Sequence, residues 1–265
     1  MARVLVWCAL LVVLAAPARA ADDRALLAHA RSQYNAGDYD GAIVTAEEAR
    51  RVSTQSDSAD LIAARALLER FRATASPDDL SQARDRLRRL VPDLFDNRER
   101  LEFIVGLGEA LFFEEAAGAA AAVFESALDM TTVPLVEGRD QVLDWWASAV
   151  DYDARPRSEF ERQVLYERVR IRMRSELAQH PTSATAAYWA AAAARGQGDY
   201  SGAWAAAEAG WVRAALAPDH GAALRGDIDR LVLRAAANVR RLRHRGARAE
   251  RAPARARTRA GDVAP

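Results

Sequence analysis

The chain has 265 residues, 51% of them hydrophobic, and its 37 acidic side chains balance 37 basic ones. Every one of those basic residues is arginine, which excludes chemistry that depends on a Schiff-base or phosphate-loop lysine. The only cysteine, Cys8, lies in the N-terminal segment described next, so the rest of the chain has no disulfide and no thiolate metal site.

The first twenty residues are typical of a secretory signal peptide. Arg3 precedes an apolar run over 4–16, and Ala18-Arg19-Ala20 is a small-x-small cleavage site. A run of about 13 apolar residues is shorter than the roughly 20 that a membrane-spanning helix needs. We expect cleavage after Ala20 (signal peptide 1–20), no transmembrane segment afterwards, and a periplasmic or secreted protein; an uncleaved anchor is the alternative.

Hydrophobic periodicity predicts helices throughout the remaining chain. Their expected bounds, in chain order, are Asp22–Ala36, Tyr39–Val52, Ala59–Ala73, Asp79–Val91, Asn97–Phe113, Ala116–Leu128, Arg139–Tyr152, Ser158–Gln179, a pair within Ala184–Leu216, and Ala222–Leu242. Ser76 and Pro77 suit the cap and first residue of the fourth helix.

Two bends are almost identical in sequence: Gly-Asp-Tyr-Asp-Gly-Ala over 37–42 and Gly-Asp-Tyr-Ser-Gly-Ala over 198–203. Each glycine suits a left-handed residue that ends one helix, and each aspartate suits the N-cap of the next. Small residues recur around these bends at fixed spacing, as Ala30, Ala42 and Ala49, then Gly108, Ala120 and Ala127, then Ala191, Ala203 and Gly210. Such residues allow two helices to approach closely, so the pattern predicts repeated helical hairpins.

The spacing of the marker alanines predicts the number of hairpins. They lie at 42, 83, 120 and 203, with intervals of 41, 37 and 83. The copy around Ala83 is degenerate, and the last interval leaves room for one hairpin with no recognisable signature. We therefore expect an all-α solenoid of about five stacked hairpins, a C-terminal capping helix, and a disordered arginine-rich tail over 244–265.

The small residues that recur at fixed spacing are called the small-residue frame. Together with the bends and the prolines Pro181 and Pro218, this frame resembles that of the tetratricopeptide repeat (TPR) family. The copy at Leu107–Leu128 resembles it most, through Leu107, Gly108, Leu111, Ala120, Phe124 and Ala127. The resemblance implies a right-handed superhelix, with hairpins 1–3 over 21–130 and hairpins 4–5 plus the capping helix over 131–243. It also implies a concave face, lined by the first helix of each pair, that holds a protein or peptide. The corresponding positions here are Leu27, Arg31, Tyr34, Val105, Glu109, Phe112, Tyr188, Ala192 and Arg195.

The tryptophans suggest a second surface. Trp145 and Trp146 are adjacent on one helix and cannot both be buried on one face, so one of them meets water, a neighbouring helix or a ligand. Asp151 and Asp153 lie nearby, and aromatic rings beside acids could stack on a sugar ring or hold a cationic peptide. Ordinary packing and a ligand groove both remain open.

No catalytic or metal-binding spacing is present in the sequence. The four histidines form no i, i+4 pair, and neither a phosphate loop nor a nucleophile elbow occurs. We expect a non-catalytic interaction module of a bacterial-type cell envelope, with no cofactor and no nucleic acid; the alternative is binding of a carbohydrate or envelope polymer. The segment Arg240–Arg259, with nine arginines and one glutamate, could contact an anionic surface.

Overall fold

A computed structural model describes residues 24–52, 56–130, 138–215, 225–226 and 228–233. All regular secondary structure within these ranges is helical. The chain forms two compact units, Met1–Ala149 and Val150–Pro265. The predicted signal peptide, its cleavage site, the tail and most of the capping helix lie outside the described residues.

The first unit is built from helical hairpins. Helix α1 spans 24–35 and α2 spans Tyr39–Val52, and the remaining elements are α3 (Ser56–Thr74), α4 (Pro77–Leu87), a 3₁₀ turn (Pro92–Leu94), α5 (Asn97–Phe113), α6 (Ala117–Asp129) and α7 (Arg139–Ala154). The boundary between the units falls within α7. The second unit contains α8 (Glu159–Gln179), α9 (Ala184–Gly196) and α10 (Tyr200–Ala214), followed by helical residues at 225–226 and 228–233.

The two repeated bends have the predicted geometry. Gly37 and Gly198 adopt φ values of 79° and 81°, in the left-handed region that glycine tolerates best. The Asp38 carboxylate accepts a hydrogen bond from the Gly41 backbone N–H at 3.0 Å, and that of Asp199 accepts one from the Gly202 N–H at 2.9 Å. Each aspartate therefore caps the helix that follows it.

Two further bends, those between α3 and α4 and between α5 and α6, reach the same backbone conformation without glycine. Ala75 has φ 56° and Glu115 has φ 62°, although both carry a Cβ that disfavours this region. Ser76 occupies the N-cap of α4 with Pro77 after it, as predicted, but its side chain makes no capping hydrogen bond. These two turns are therefore less well matched to their sequence than the Gly-Asp bends.

The small-residue frame lies at the centre of the helix contacts. All the frame alanines are fully buried: Ala30, Ala42, Ala49, Ala83, Ala120, Ala127, Ala191 and Ala203. A Cβ on Gly108 would stand 2.6 Å from the Phe124 ring, so the contact between α5 and α6 requires glycine there. In the second unit, a Cβ on Gly210 would stand 3.2 Å from both Ala187 and Ile228.

Helix α3 is the centre of the first unit. It packs against α2, α4 and α5, and every residue from Ser58 to Leu68 is buried. One apolar cluster joins Leu27 and Ala30 of α1 to α2 and α3, and a second joins Leu61, Leu67 and Leu68 to α4 and α5. In the second unit, α9 packs against both α8 and α10.

Arginine–carboxylate pairs supplement this apolar packing. Arg86 of α4 pairs with Asp60 of α3 at 2.5 Å and with Glu47 of α2. Arg70 of α3 pairs at 2.6 Å with both Asp79 and Asp40. Because Asp60 and Asp79 are buried, these guanidinium groups supply the countercharge that makes carboxylates tolerable there.

Candidate functional site

An open pocket of about 360 Å³ lies within the first unit. Its walls come from four helices, α1, α2, α3 and α7, although these are far apart in sequence. The lining side chains are Tyr34, Asn35, Tyr39, Glu69, Arg72, Gln141 and Trp145. The pocket thus combines three aromatic rings with two amides and one ion pair.

Arg72 is the principal cation of the pocket. Its guanidinium carbon lies 4.8 Å from the centroid of the Trp145 ring and 5.3 Å from that of Phe113, both within cation–π range. The same group pairs with Glu69 at 3.3 Å and with Glu109 of α5. About a third of the Arg72 side chain remains exposed, so it can also meet a ligand.

Glu109 forms the floor beside this arginine. It is only 2% exposed, and its carboxylate also lies 3.3 Å from the guanidinium of Arg65, which is itself buried. Two arginines therefore compensate a single buried carboxylate, which offsets the cost of removing its charge from water.

Arg65 connects this floor to α1. Its guanidinium donates hydrogen bonds to the Tyr34 hydroxyl at 3.0 Å and to the Glu102 backbone carbonyl at 3.2 Å. Arg31 of α1 continues the series by pairing with Glu99 at 2.8 Å and with Glu102 at 3.6 Å. The result is a continuous charged network across α1, α3 and α5, which we call the arginine–glutamate network: Arg31, Arg65, Arg72, Glu69, Glu99, Glu102 and Glu109.

Tyr39 is a neutral hydrogen-bonding group of the pocket. Burial, together with the negative charge of Glu69, raises the pKa of its phenol above the ordinary value. The hydroxyl therefore keeps its proton throughout the physiological range and can both donate and accept. Aromatic stacking and neutral or charge-assisted hydrogen bonds are thus the interactions that the pocket offers.

The structure brings together four of the residues predicted to contact a partner, although Glu109 is itself buried and reaches the pocket only through its ion pair with Arg72. Arg31, Tyr34 and Glu109 belong to, or directly bond with, the arginine–glutamate network, and Trp145 lies above Arg72. Phe112 is half-buried, with its ring centroid 6.2 Å from that of Phe113.

Three other predicted contact residues are core residues instead. Leu27 packs in the apolar cluster of α1, α2 and α3, Val105 is fully buried in α5, and Trp146 is fully buried in α7. Their side chains cannot touch a partner while the unit is folded. The position of a residue relative to the small-residue frame indicates on which side of its own helix it lies, but not which neighbouring helix covers that side.

The candidates on α9 belong to the second unit. Tyr188 stacks edge-to-face on Trp189 at 5.3 Å between ring centroids, Ala192 is buried, and Arg195 is half-buried.

The two acids near the tryptophan pair are engaged by other groups. Asp151 pairs with Arg155 at 2.7 Å and accepts a hydrogen bond from the Tyr166 hydroxyl at 3.0 Å, whereas Asp153 pairs with Arg157 at 2.8 Å. Burial of the phenol and the negative charge of Asp151 raise the pKa of Tyr166 to about 12. With Trp146 buried as well, this region offers less to a sugar ring than its sequence suggests.

Two arginines of α3, Arg65 and Arg72, take part in the site but were not predicted from the sequence, in which the second hairpin is degenerate. The frame itself contains a usable signal: counting back from Ala83 as from Ala42 places Arg72 at the position that Arg31 and Glu109 occupy in their own copies. Charged side chains at one frame position of three first helices, two arginines and one glutamate, are what a charged seam along these helices would need.

No protein-family model matches this chain, and no characterised protein is similar enough in sequence to count as a relative. Over the ranges that the structure describes, no group of three or more His, Cys, Asp or Glu side chains could hold a metal ion. Within the same ranges, none of the helices combines the length and apolar character needed to cross a bilayer.

Proposed function

We propose that the chain is a non-catalytic binding module of the cell envelope, a right-handed TPR-like solenoid that holds a protein or peptide in the pocket of the first unit. The proposal rests on one observation, namely which helices line the pocket and supply Glu109 at its floor. Helices α1, α3 and α5, which begin the first three hairpins, and helix α7 supply nearly all of these side chains. First helices that share one surface are expected of a stacked-hairpin solenoid.

The chemistry of the pocket favours a ligand with both apolar and polar groups. The ring of Trp145 and those of the two tyrosines provide broad contact area, while Asn35 and Gln141 can each donate and accept hydrogen bonds with a peptide backbone. Arg72 can pair with a carboxylate or stack on an aromatic side chain. An extended peptide segment presents all of these groups.

Export is part of the proposal and depends on the N-terminal segment. If cleavage occurs after Ala20, the ligand is a component of the periplasm or of the cell exterior. The arginine-rich tail would then add a salt-sensitive attraction to anionic surfaces, separate from recognition in the pocket.

A peptide selection followed by calorimetry tests the proposal. Peptides selected from a random display library against the chain would be titrated into the wild type, Trp145→Ala, and the control Trp204→Ala on α10, where the tryptophan is also partly exposed. We expect Trp145→Ala to weaken binding at least tenfold (about 1.4 kcal/mol) and Trp204→Ala to leave it unchanged. Equal losses in both variants, or retention in both, would contradict a ligand site in this pocket.

A further inference from the structure

A further cavity, of about 280 Å³, lies between α4 and α5 in the first unit, and we call it the α4–α5 cavity. Its walls combine apolar and charged side chains: Leu87, Leu90, Phe103, Leu107, Ala110, Leu111, Arg84, Arg88 and Glu114. The cavity borders the apolar cluster that α3 forms with these two helices, since Leu87, Leu90 and Ala110 belong to that cluster. A gap beside a packed core lacks dispersion contacts, so a ligand that fills it would stabilise the unit.

The α4–α5 cavity and the pocket described above lie on different faces of α5. At about 100° per residue, the side chains that α5 contributes to the cavity, from Phe103 to Glu114, fall within an arc of about 100°. Glu109, which forms the floor of the pocket, lies about 150° from the centre of that arc. The cavity is therefore a separate candidate site and not an extension of the pocket.

The side chains of the cavity favour a ligand with an apolar body. None of them carries a hydroxyl or an amide, so a sugar or a peptide backbone would find hydrogen-bond partners only among the charged groups. Leu87, Leu90 and Ala110 are buried, whereas the charged side chains are more exposed and mark the entrance. The volume is close to the lower limit of about 300 Å³ for small-molecule sites, which suits an alkyl chain of medium length.

The charges at the entrance favour an anionic end group. Arg84 lies 3.4 Å from both Asp85 and Glu114, so two carboxylates already offset its charge. Arg88 is exposed, and its side chain makes no ion pair or hydrogen bond with any residue that the structure describes. Its guanidinium can therefore pair with a ligand carboxylate without losing an existing partner.

We propose that the α4–α5 cavity binds a medium-chain fatty acid, whose alkyl chain lies against the leucines and whose carboxylate pairs with Arg88. Burial of the alkyl chain supplies most of the affinity. The ion pair selects the acid over a neutral or cationic molecule with the same alkyl chain. Because the peptide proposed above would occupy a different face of α5, either proposal can fail without the other.

Isothermal titration calorimetry of the full chain with decanoate, below the concentration at which decanoate forms micelles, tests the proposal. We expect saturable binding of one decanoate per chain and a melting temperature that rises with decanoate concentration. Decanol and decyltrimethylammonium carry the same alkyl chain without the carboxylate. They should bind about tenfold more weakly, since each lacks the charge-assisted hydrogen bond to Arg88.

Arg88→Gln tests the cation, and Arg89→Gln is the matched control. Both arginines are exposed at the same end of α4, but Arg89 does not line the cavity. Arg88→Gln should weaken decanoate binding by about tenfold and remove the preference for decanoate over decanol, whereas Arg89→Gln should change neither. Leu107→Trp should abolish binding by filling the cavity, and circular dichroism checks that this chain keeps its helices.

Four results would overturn the proposal. The first two are the absence of saturable decanoate binding, and binding of decanol or decyltrimethylammonium as tight as that of decanoate. The third is an Arg89→Gln chain that loses as much affinity as the Arg88→Gln chain. The fourth is a folded Leu107→Trp chain that binds decanoate as the wild type does, because the fatty acid would then occupy another site.

Discussion

Replacing Glu109 with glutamine tests the arginine–glutamate network where it is most buried. The substitution keeps the shape of the side chain but removes the one negative charge that faces both Arg65 and Arg72. Breaking a buried ion pair by removing one partner costs about 3–5 kcal/mol.

Three features of the site reduce that cost. Arg65 keeps its hydrogen bonds to Tyr34 and to the Glu102 carbonyl, and Arg72 keeps Glu69 and partial access to water. The glutamine oxygen can also still accept one hydrogen bond. We therefore expect Glu109→Gln to lower the free energy of unfolding by about 2–3 kcal/mol, a large fraction of the 5–15 kcal/mol typical of a domain.

Urea unfolding followed by tryptophan fluorescence measures this loss, and hydrogen exchange of α5 amides assigns it to the first unit. The control is Glu48→Gln, at an exposed position on α2, which should change stability by less than about 0.5 kcal/mol. A Glu109→Gln chain as stable as the Glu48→Gln chain would contradict this expectation, because it would mean that the buried carboxylate makes no net contribution to stability.

Three further predictions concern the turns, the frame and one tyrosine. Gly108→Ala should destabilise the chain by about 1–3 kcal/mol in urea unfolding, because its new Cβ meets the buried ring of Phe124; an unchanged midpoint would contradict the close contact. Glu115→Gly should stabilise the chain by about 1 kcal/mol, since glycine relieves the φ of 62°; a loss of stability in the same assay would contradict this. Because burial and Asp151 raise the pKa of Tyr166 to about 12, folding favours the protonated phenol: that stability is complete below pH of about 10 and is lost as the pH rises through about 12. The phenolate absorbance of Tyr166→Phe should lack the latest-titrating component of the wild-type curve, and retention of that component would assign it to another tyrosine.

Local features of the fold were predictable from the sequence because they depend on local chemistry. The bends at Gly37 and Gly198 follow from the left-handed conformation and from the capping aspartates, which involve only neighbouring residues. The burial of the frame alanines follows from their spacing. The bend at Glu115 could not be predicted with the same certainty, because tertiary packing imposes a conformation there that the residue itself disfavours.

The candidate site was only partly predictable because it depends on which helices meet. Arg31, Tyr34 and Glu109 were predicted from their frame positions, but Val105 of α5 was predicted in the same way and is completely buried. Arg65 was missed since a charged residue in a helix is usually solvated, and only the contacts among α1, α3 and α5 show that it is buried and paired.

Site-specific photo-crosslinking in intact cells tests whether the pocket of the first unit holds a partner. A photoreactive amino acid would replace Tyr39 in the pocket or, as a control, Trp204 on α10. We expect one discrete adduct from position 39 that persists when the chain is shortened to Val239 and when the salt concentration is raised, and no such adduct from position 204. An adduct formed only from position 204, or one that disappears with the tail, would contradict recognition in the pocket of the first unit.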